Sequence, residues 1–169
     1  MNTTSDTNGT VTFDHSVHSE QGARVALLVD EVLRLHGRVV SAKKPSALGS
    51  SAQAIVLASV VLAQDPPTVA RIARSLGYSR QAVQRVADVL VENGHVLYQD
   101  NPHHKTSRQL EATEQGKQAY AEANRESAQW TERVSAGLSA QELEQALSVL
   151  RRIRRNLETD KQASAGGPA

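Results

Sequence analysis

Apolar residues recur with a helical period over most of the chain. Between Glu20 and Lys43, Val25, Leu28, Val29, Val32, Leu35, Val39 and Val40 follow a near-heptad pattern, which predicts one long helix with a single apolar seam. A helix of about 23 residues extends roughly 35 Å, longer than a small domain needs for its own core, so part of that seam is expected to meet another chain. Pro45 and Gly49 close it. Ser50-Ser51-Ala52-Gln53 then reads as a capping box that opens a second helix reaching about Ala63. Its Ile55, Val56, Ala58, Val60, Val61 and Leu62 are apolar nearly all round, so deep packing is expected. Asp65-Pro66-Pro67 ends it, and Thr68 caps the next helix.

The stretch from Thr68 to Gly94 holds two short helical patterns with a glycine at the joint. In the first, Val69, Ile72, Ala73 and Leu76 share one face; Gly77 supplies the positive φ that ends a helix cheaply, and Ser79 caps the second. In that second helix the apolar set is Ala82, Val83, Val86, Ala87, Leu90 and Val91, against Arg80, Gln81, Gln84, Arg85 and Asp88 on the opposite face. Two helices joined by a short glycine-containing turn form the helix-turn-helix signature. Arginine suits the guanine O6/N7 edge and glutamine the adenine N6/N7 edge, so the exposed first turn carries the residue types of a major-groove reader. The same periodicity also fits an ordinary amphipathic pair with a solvated polar face.

Beyond Gly94, His95-Val96-Leu97-Tyr98 has strand composition, and Gln109-Leu110-Glu111-Ala112 is placed to pair with it. The tip between them is long, polar and basic near its end, with Asn101-Pro102, His103, His104, Lys105, Thr106, Ser107 and Arg108. Thr113 caps a long helix to about Ala136, with Ala119, Tyr120, Ala123, Ser127, Trp130 and Val134 on one side, and Gly137-Leu138 breaks it. Ser139-Ala140-Gln141-Glu142 is a second capping box, opening a last helix whose Leu143, Ala146, Leu147, Leu150, Ile153 and Leu157 form another seam that wants a helical partner. Arg151, Arg152, Arg154 and Arg155 complement the negative end of its dipole, and the small polar residues after Glu158 are expected to fray.

Composition narrows the function. With a net charge of +1, a nucleic-acid role must rest on local placement, and from Arg71 to Arg108 cations exceed acids by three. Aromatic residues make up only 3%, which favours duplex over stacked single strands. The absence of cysteine excludes disulfides, thiolate metal sites and a thiol switch. No apolar run is long enough to span a bilayer and no leader pattern opens the chain, so a cytoplasmic protein with no membrane role is expected. His15, His18, His36, His95, His103 and His104 are dispersed over arm, helix and wing and read as surface or packing residues, not as a metal site. No phosphate loop, serine elbow or carboxylate pair is present, so neither an enzyme nor a bound cofactor is expected.

Helix, capped helix, helix-turn-helix, wing and two long helices, from about Glu20 to Leu157, resemble the MarR family of bacterial transcriptional regulators. The likeness is carried by Ser50-Ser51-Ala52-Gln53 with Val56-Leu57, by Val69, Ile72-Ala73 and Leu76-Gly77, by Leu90, Gly94 and Val96, and by Ala112-Thr113 with Gly116. It implies a mainly α winged helix-turn-helix with long N- and C-terminal dimerisation helices and a two-stranded wing. Residues 1–19 are then a flexible arm, 20–158 a single MarR-like domain and 159–169 a disordered tail. Within the domain, 20–44 and 113–158 are the dimerisation helices and 50–112 the winged helix-turn-helix. The implied partners are double-stranded DNA at a near-palindromic site, a second copy as homodimer, and a small-molecule effector that relieves repression. By the same resemblance Thr68, Ser79, Arg80, Gln81, Gln84 and Arg85 lie at the duplex from the helices, and His104, Lys105, Thr106 and Arg108 from the wing. A winged-helix dimer that binds a protein instead of DNA is the alternative, because fold does not fix function.

The wing departs from the family's Pro-x-Asp-Arg-Arg habit. Its matching run is Pro102-His103-His104-Lys105-Thr106, which lacks the oriented Asp-Arg pair. Anchoring weaker and more salt-sensitive than the family norm is therefore expected, with Lys105 as a flexible point charge and Arg108 as a substitute cation. Lys105→Ala and Arg108→Ala should each lower affinity for duplex DNA and flatten the slope of log K against log salt; unchanged slopes would dismiss the wing as an anchor. Imidazolium at His103 and His104 should add phosphate contacts below about pH 6.5, seen as affinity rising on acidification.

Overall fold

The computed structural model describes residues 17–42, 48–102 and 107–165. In chain order these form α1 (Glu20–Ala42), α2 (Ser51–Val61), α3 (Val69–Leu76), α4 (Arg80–Glu92), β1 (Val96–Gln99), β2 (Gln109–Ala112), α5 (Glu114–Val134) and α6 (Ala140–Ala165). The arm expected over residues 1–19 lies almost wholly outside the described residues, as do His103, His104, Lys105 and Thr106 of the wing tip.

Helix starts are set by side chains three residues away. Ser50 Oγ accepts from Gln53 N at 3.2 Å while Gln53 Oε1 accepts from Ser50 N at 2.8 Å, completing the first capping box. Thr68 Oγ1 accepts from Arg71 N and Ser79 Oγ from Ala82 N, each satisfying an amide with no partner inside its helix. Between α3 and α4 the chain turns at Gly77, whose φ of 73° is left-handed, and Tyr78 N closes the turn on Ala73 O at 3.0 Å.

All twelve residues of the buried apolar cluster fall between Leu48 and Leu110. Val56, Leu57 and Val60 of α2 meet Ile72 and Ala73 of α3, Val83, Ala87 and Leu90 of α4, and Val96 and Leu110 of the two strands. The deep packing expected of α2 holds for one face only: Ile55, Ala58 and Val61 are half-buried and Leu62 is 67% exposed. Within α4, Ala82 belongs with the exposed residues and not with the apolar set. It stands about 100° around the helix from Val83, outside the stripe that Val83, Ala87 and Leu90 bury.

β1 and β2 pair antiparallel, with Val96 opposite Ala112 and Gln99 opposite Gln109. The wing is rooted in the helical core at two places. Leu110 N donates to Pro67 O at 2.8 Å, beside a bridge between Thr68 and Gln109. At the other end Thr113 Oγ1 donates to Gly94 O at 2.6 Å and accepts from Gly116 N at 3.0 Å, while Thr113 N donates to His95 O at 3.0 Å. Gly94 has a φ of 72°, and His95 N returns to Leu90 O at 2.9 Å, so the exit of α4 and the start of α5 are laced together.

The chain divides into two compact units, residues 1–123 and 124–169. In the first, α1 contributes nothing to the core and leaves Val25, Leu27, Leu28, Val29, Val32, Leu33, Leu35 and Val40 exposed. Asp30 is the buried exception on α1, 2% exposed, with both carboxylate oxygens lacking a hydrogen-bond partner among the described residues. In the second, Gly137 (φ 84°) breaks the helical run and Ser139 forms its capping box with Glu142. Leu143, Leu147, Leu150 and Leu157 are exposed along α6. Residues 159–165, expected as part of a disordered tail, continue α6 to Ala165. The extension is favoured by the Arg154–Glu158 pair at 2.7 Å and by an interval free of glycine and proline up to Gly166. No helix among the described residues is long and apolar enough to cross a membrane.

Gly116 offers a sharp test of the α4–α5 junction. A Cβ built there collides with His95 O, a backbone atom that cannot swing aside. Although alanine is the better helix former, Gly116→Ala should destabilise the fold by roughly 2–3 kcal/mol, measured as a lower midpoint in urea unfolding.

Candidate nucleic-acid interface

The buried stripe of α4 fixes which side chains face outward. With Val83, Ala87 and Leu90 held in the core, Arg80, Gln81, Gln84 and Arg85 are exposed together and line one shallow surface depression. Ser79 stands at the helix start as its cap, and Thr68 does the same for α3, where it is half-buried against the wing root. Arg71 and Arg74 are exposed on α3.

Charge is distributed unevenly over the described residues. All five ion pairs lie on α1, α5 and α6, as in Arg24–Glu20, Lys117–Glu114 and Arg154–Glu158. None involves Arg71, Arg74, Arg80 or Arg85, so these cations of the helix-turn-helix have no carboxylate partner among the described residues. A local positive field therefore stands over a chain of nearly balanced charge.

Asp88, an acid on the outer face of α4, is turned to internal use. Its Oδ1 accepts from Gln84 Nε2 at 2.8 Å and from the Tyr98 hydroxyl at 2.7 Å, and Gln84 Nε2 also donates to the Tyr98 oxygen at 2.5 Å. Arg108, expected at the duplex as a free wing cation, lies over the Tyr98 ring at 4.7 Å from its centroid and donates to Tyr98 O at 3.1 Å. The structure thus joins Gln84 to Arg108 through two residues, Asp88 and Tyr98, that sequence reasoning left out of the site. The Gln84/Asp88 spacing of four was visible in the sequence; the reach to Tyr98 depends on the wing folding back along α4. His95, read from the sequence as a surface or packing residue, is buried, with its Nδ1 unpartnered among the described residues.

A winged helix-turn-helix whose second helix carries exposed arginines is the class defined by this arrangement. A model of the MarR family matches residues 50–105. Over 102 residues the chain is 40% identical to an uncharacterized protein of Mycobacterium tuberculosis (strain ATCC 25618 / H37Rv), spanning 59% of this chain and 68% of that protein. Among solved structures it is similar to a MarR/EmrR family transcriptional regulator from Acinetobacter sp. ADP1, with a TM-score of 0.70 at 16% identity, covering 84% of this chain and 99% of that one. It is also similar to BpsR of Bordetella bronchiseptica, whose DNA binding is regulated by 6-hydroxynicotinic acid. That likeness has a TM-score of 0.65 at 18% identity and covers 78% of this chain and 98% of that one. The chain belongs to the MarR family and has the fold of its transcriptional regulators.

Burial of the phenol, followed by its hydrogen bond and proximity to Asp88, pushes the Tyr98 pKa up from 10.0 to about 12, against the opposing pulls of Gln84 and Arg108. Because the folded value is the higher one, the stability this network lends is complete below about pH 10 and lost as pH rises towards 12. Spectrophotometric titration should show one late-ionising tyrosine, and Asp88→Asn should bring it back towards the ordinary value.

Proposed function

We propose that this chain is a homodimeric, sequence-specific double-stranded-DNA-binding transcriptional regulator, a repressor relieved by a small-molecule ligand, acting in the cytoplasm without catalysis. The observation that carries this reading is the coincidence of Arg80, Gln81, Gln84 and Arg85 on the outer face of a helix whose inner face is locked in the core, with both arginines free of carboxylate partners among the described residues. Guanidinium groups in that position suit guanine edges and flanking phosphates. Residues 50–112 form the reading head, with Thr68 and Ser79 at the helix starts and His104, Lys105, Thr106 and Arg108 on the wing.

The long helices over 20–44 and 113–158 are the dimerisation arms. Support comes from the large apolar side chains exposed on α1 and α6, each about half uncovered and so gaining about half of the roughly 1.5–3 kcal/mol of full burial when removed from water. A dimer sets two heads on successive major grooves, so the expected operator is a near-palindrome with half-sites about one helical turn apart. Relief by a small molecule is supported by the likeness to BpsR, whose DNA binding is regulated by 6-hydroxynicotinic acid.

Selection from random duplex DNA at near-physiological salt tests the reading. The unaltered protein should enrich a near-palindrome, and Arg80→Ala or Arg85→Ala should cost roughly 1–3 kcal/mol at a defined base position. A folded dimer that enriches no sequence would overturn DNA reading and direct attention to protein partners.

A further inference from the structure

A glutamine amide carries two N–H donors and one carbonyl acceptor. Gln84 Nε2 is engaged twice inside the protein, by Asp88 Oδ1 at 2.8 Å and by the Tyr98 oxygen at 2.5 Å. Chemistry fixes this orientation of the amide. The Asp88 carboxylate only accepts, and the Tyr98 hydroxyl gives its single proton to Asp88 Oδ1 at 2.7 Å, so its own oxygen requires a donor. A flipped amide would set Oε1 against both acceptors. The phenol keeps its proton throughout the neutral range, because its pKa is pushed up to about 12. Arg108 holds the ring from the far side, through its stack on the ring and its bond to Tyr98 O.

In the major groove adenine N6 and cytosine N4 offer N–H donors, whereas guanine O6 and thymine O4 are acceptors. The two-point match of glutamine to adenine needs an N–H directed at N7, and the Nε2 end of Gln84 is turned instead to Asp88 and Tyr98. On the reading of this face as a DNA-binding surface, we infer that Gln84 presents only its Oε1 acceptor to the duplex and selects an amino base, adenine or cytosine, over a keto base. Asp88 and Tyr98 are the positioning residues that set this choice. Gln81, one helical turn earlier, has no such partner among the described residues and keeps the full glutamine repertoire. The wing thereby acts on base preference from the protein side: its first strand supplies the hydroxyl that removes a donor from the reading helix.

The test compares sequence selection by the unaltered protein, Gln84→Ala and Tyr98→Phe, each checked for an unchanged circular dichroism spectrum. One half-site position should carry adenine or cytosine on one strand, and Gln84→Ala should flatten that position while leaving the rest of the motif intact. Tyr98→Phe frees one N–H and should shift the same position towards adenine over cytosine by about tenfold. A preference for guanine or thymine at the Gln84 position, or a Tyr98→Phe motif identical to the original, overturns the inference while leaving DNA binding standing. The absence of any motif instead defeats the DNA-binding reading, and the inference with it. The premise is read without DNA by proton exchange at the side-chain amides of the free protein. Gln84 should exchange more slowly than Gln81 and speed up in Tyr98→Phe; equal rates for the two glutamines would show that the donors are not held.

Discussion

The backbone at Gly94 and His95 is gripped from the start of α5, and the placement of both α4 and the wing depends on that grip. Thr113 uses its hydroxyl twice, towards Gly94 O and from Gly116 N, and its own amide closes on His95 O. Gly116 sits so close to the same carbonyl that any side chain would part the two segments. A helix normally ends with several carbonyls facing water. At the end of α4 they are met by Gly94 N, His95 N and the side chain of Gln115, which gives β1 a fixed direction of departure. The Gly94–Gln115 neighbourhood therefore couples three elements with few atoms.

Around that junction the chain has two kinds of surface. On the described helices outside the head, Arg24, Arg34, Lys117 and Arg154 pair with acids three or four residues away, the pattern of a solvated helix face. On the head Arg71, Arg74, Arg80 and Arg85 have no carboxylate partner among the described residues, and Asp88 is drawn into a network with Gln84 and Tyr98. Nearly zero net charge thus conceals a partition, with exposed arginines on α3 and α4 and exposed leucine and valine along α1 and α6.

Interactions spanning three or four residues were legible in the sequence. The caps at Ser50, Thr68, Ser79 and Ser139 and the glycine turns at Gly77 and Gly137 depend on neighbours already adjacent in the chain. The buried faces of α3 and α4 were legible too, apart from Ala82, whose small side chain tolerates either environment and whose angular position alone decides the matter. Periodicity overstated the burial of α2, because an apolar composition reports what a helix could bury and not how many neighbours it finds. The partners of Gln84 and Arg108 were not legible. Tyr98 lies fourteen residues from Gln84 and ten from Arg108, and both contacts exist only once β1 has paired with β2 and folded back along α4. Asp30, a carboxylate buried within an apolar helix, gave no sign of burial in its local pattern.

The Gln84 amide has a kinetic meaning as well as a chemical one. A free glutamine on a helix surface samples many rotamers, and fixing it at an interface costs about 1–2 kcal/mol in lost entropy. Held by Asp88 and Tyr98, this side chain has lost that freedom during folding, before any partner arrives. Under the proposed DNA-binding function, its contact would form without a search, and a mismatched base could not be accommodated by a change of rotamer. Discrimination at that position would then be exercised at first encounter, by rapid dissociation of the wrong sequence.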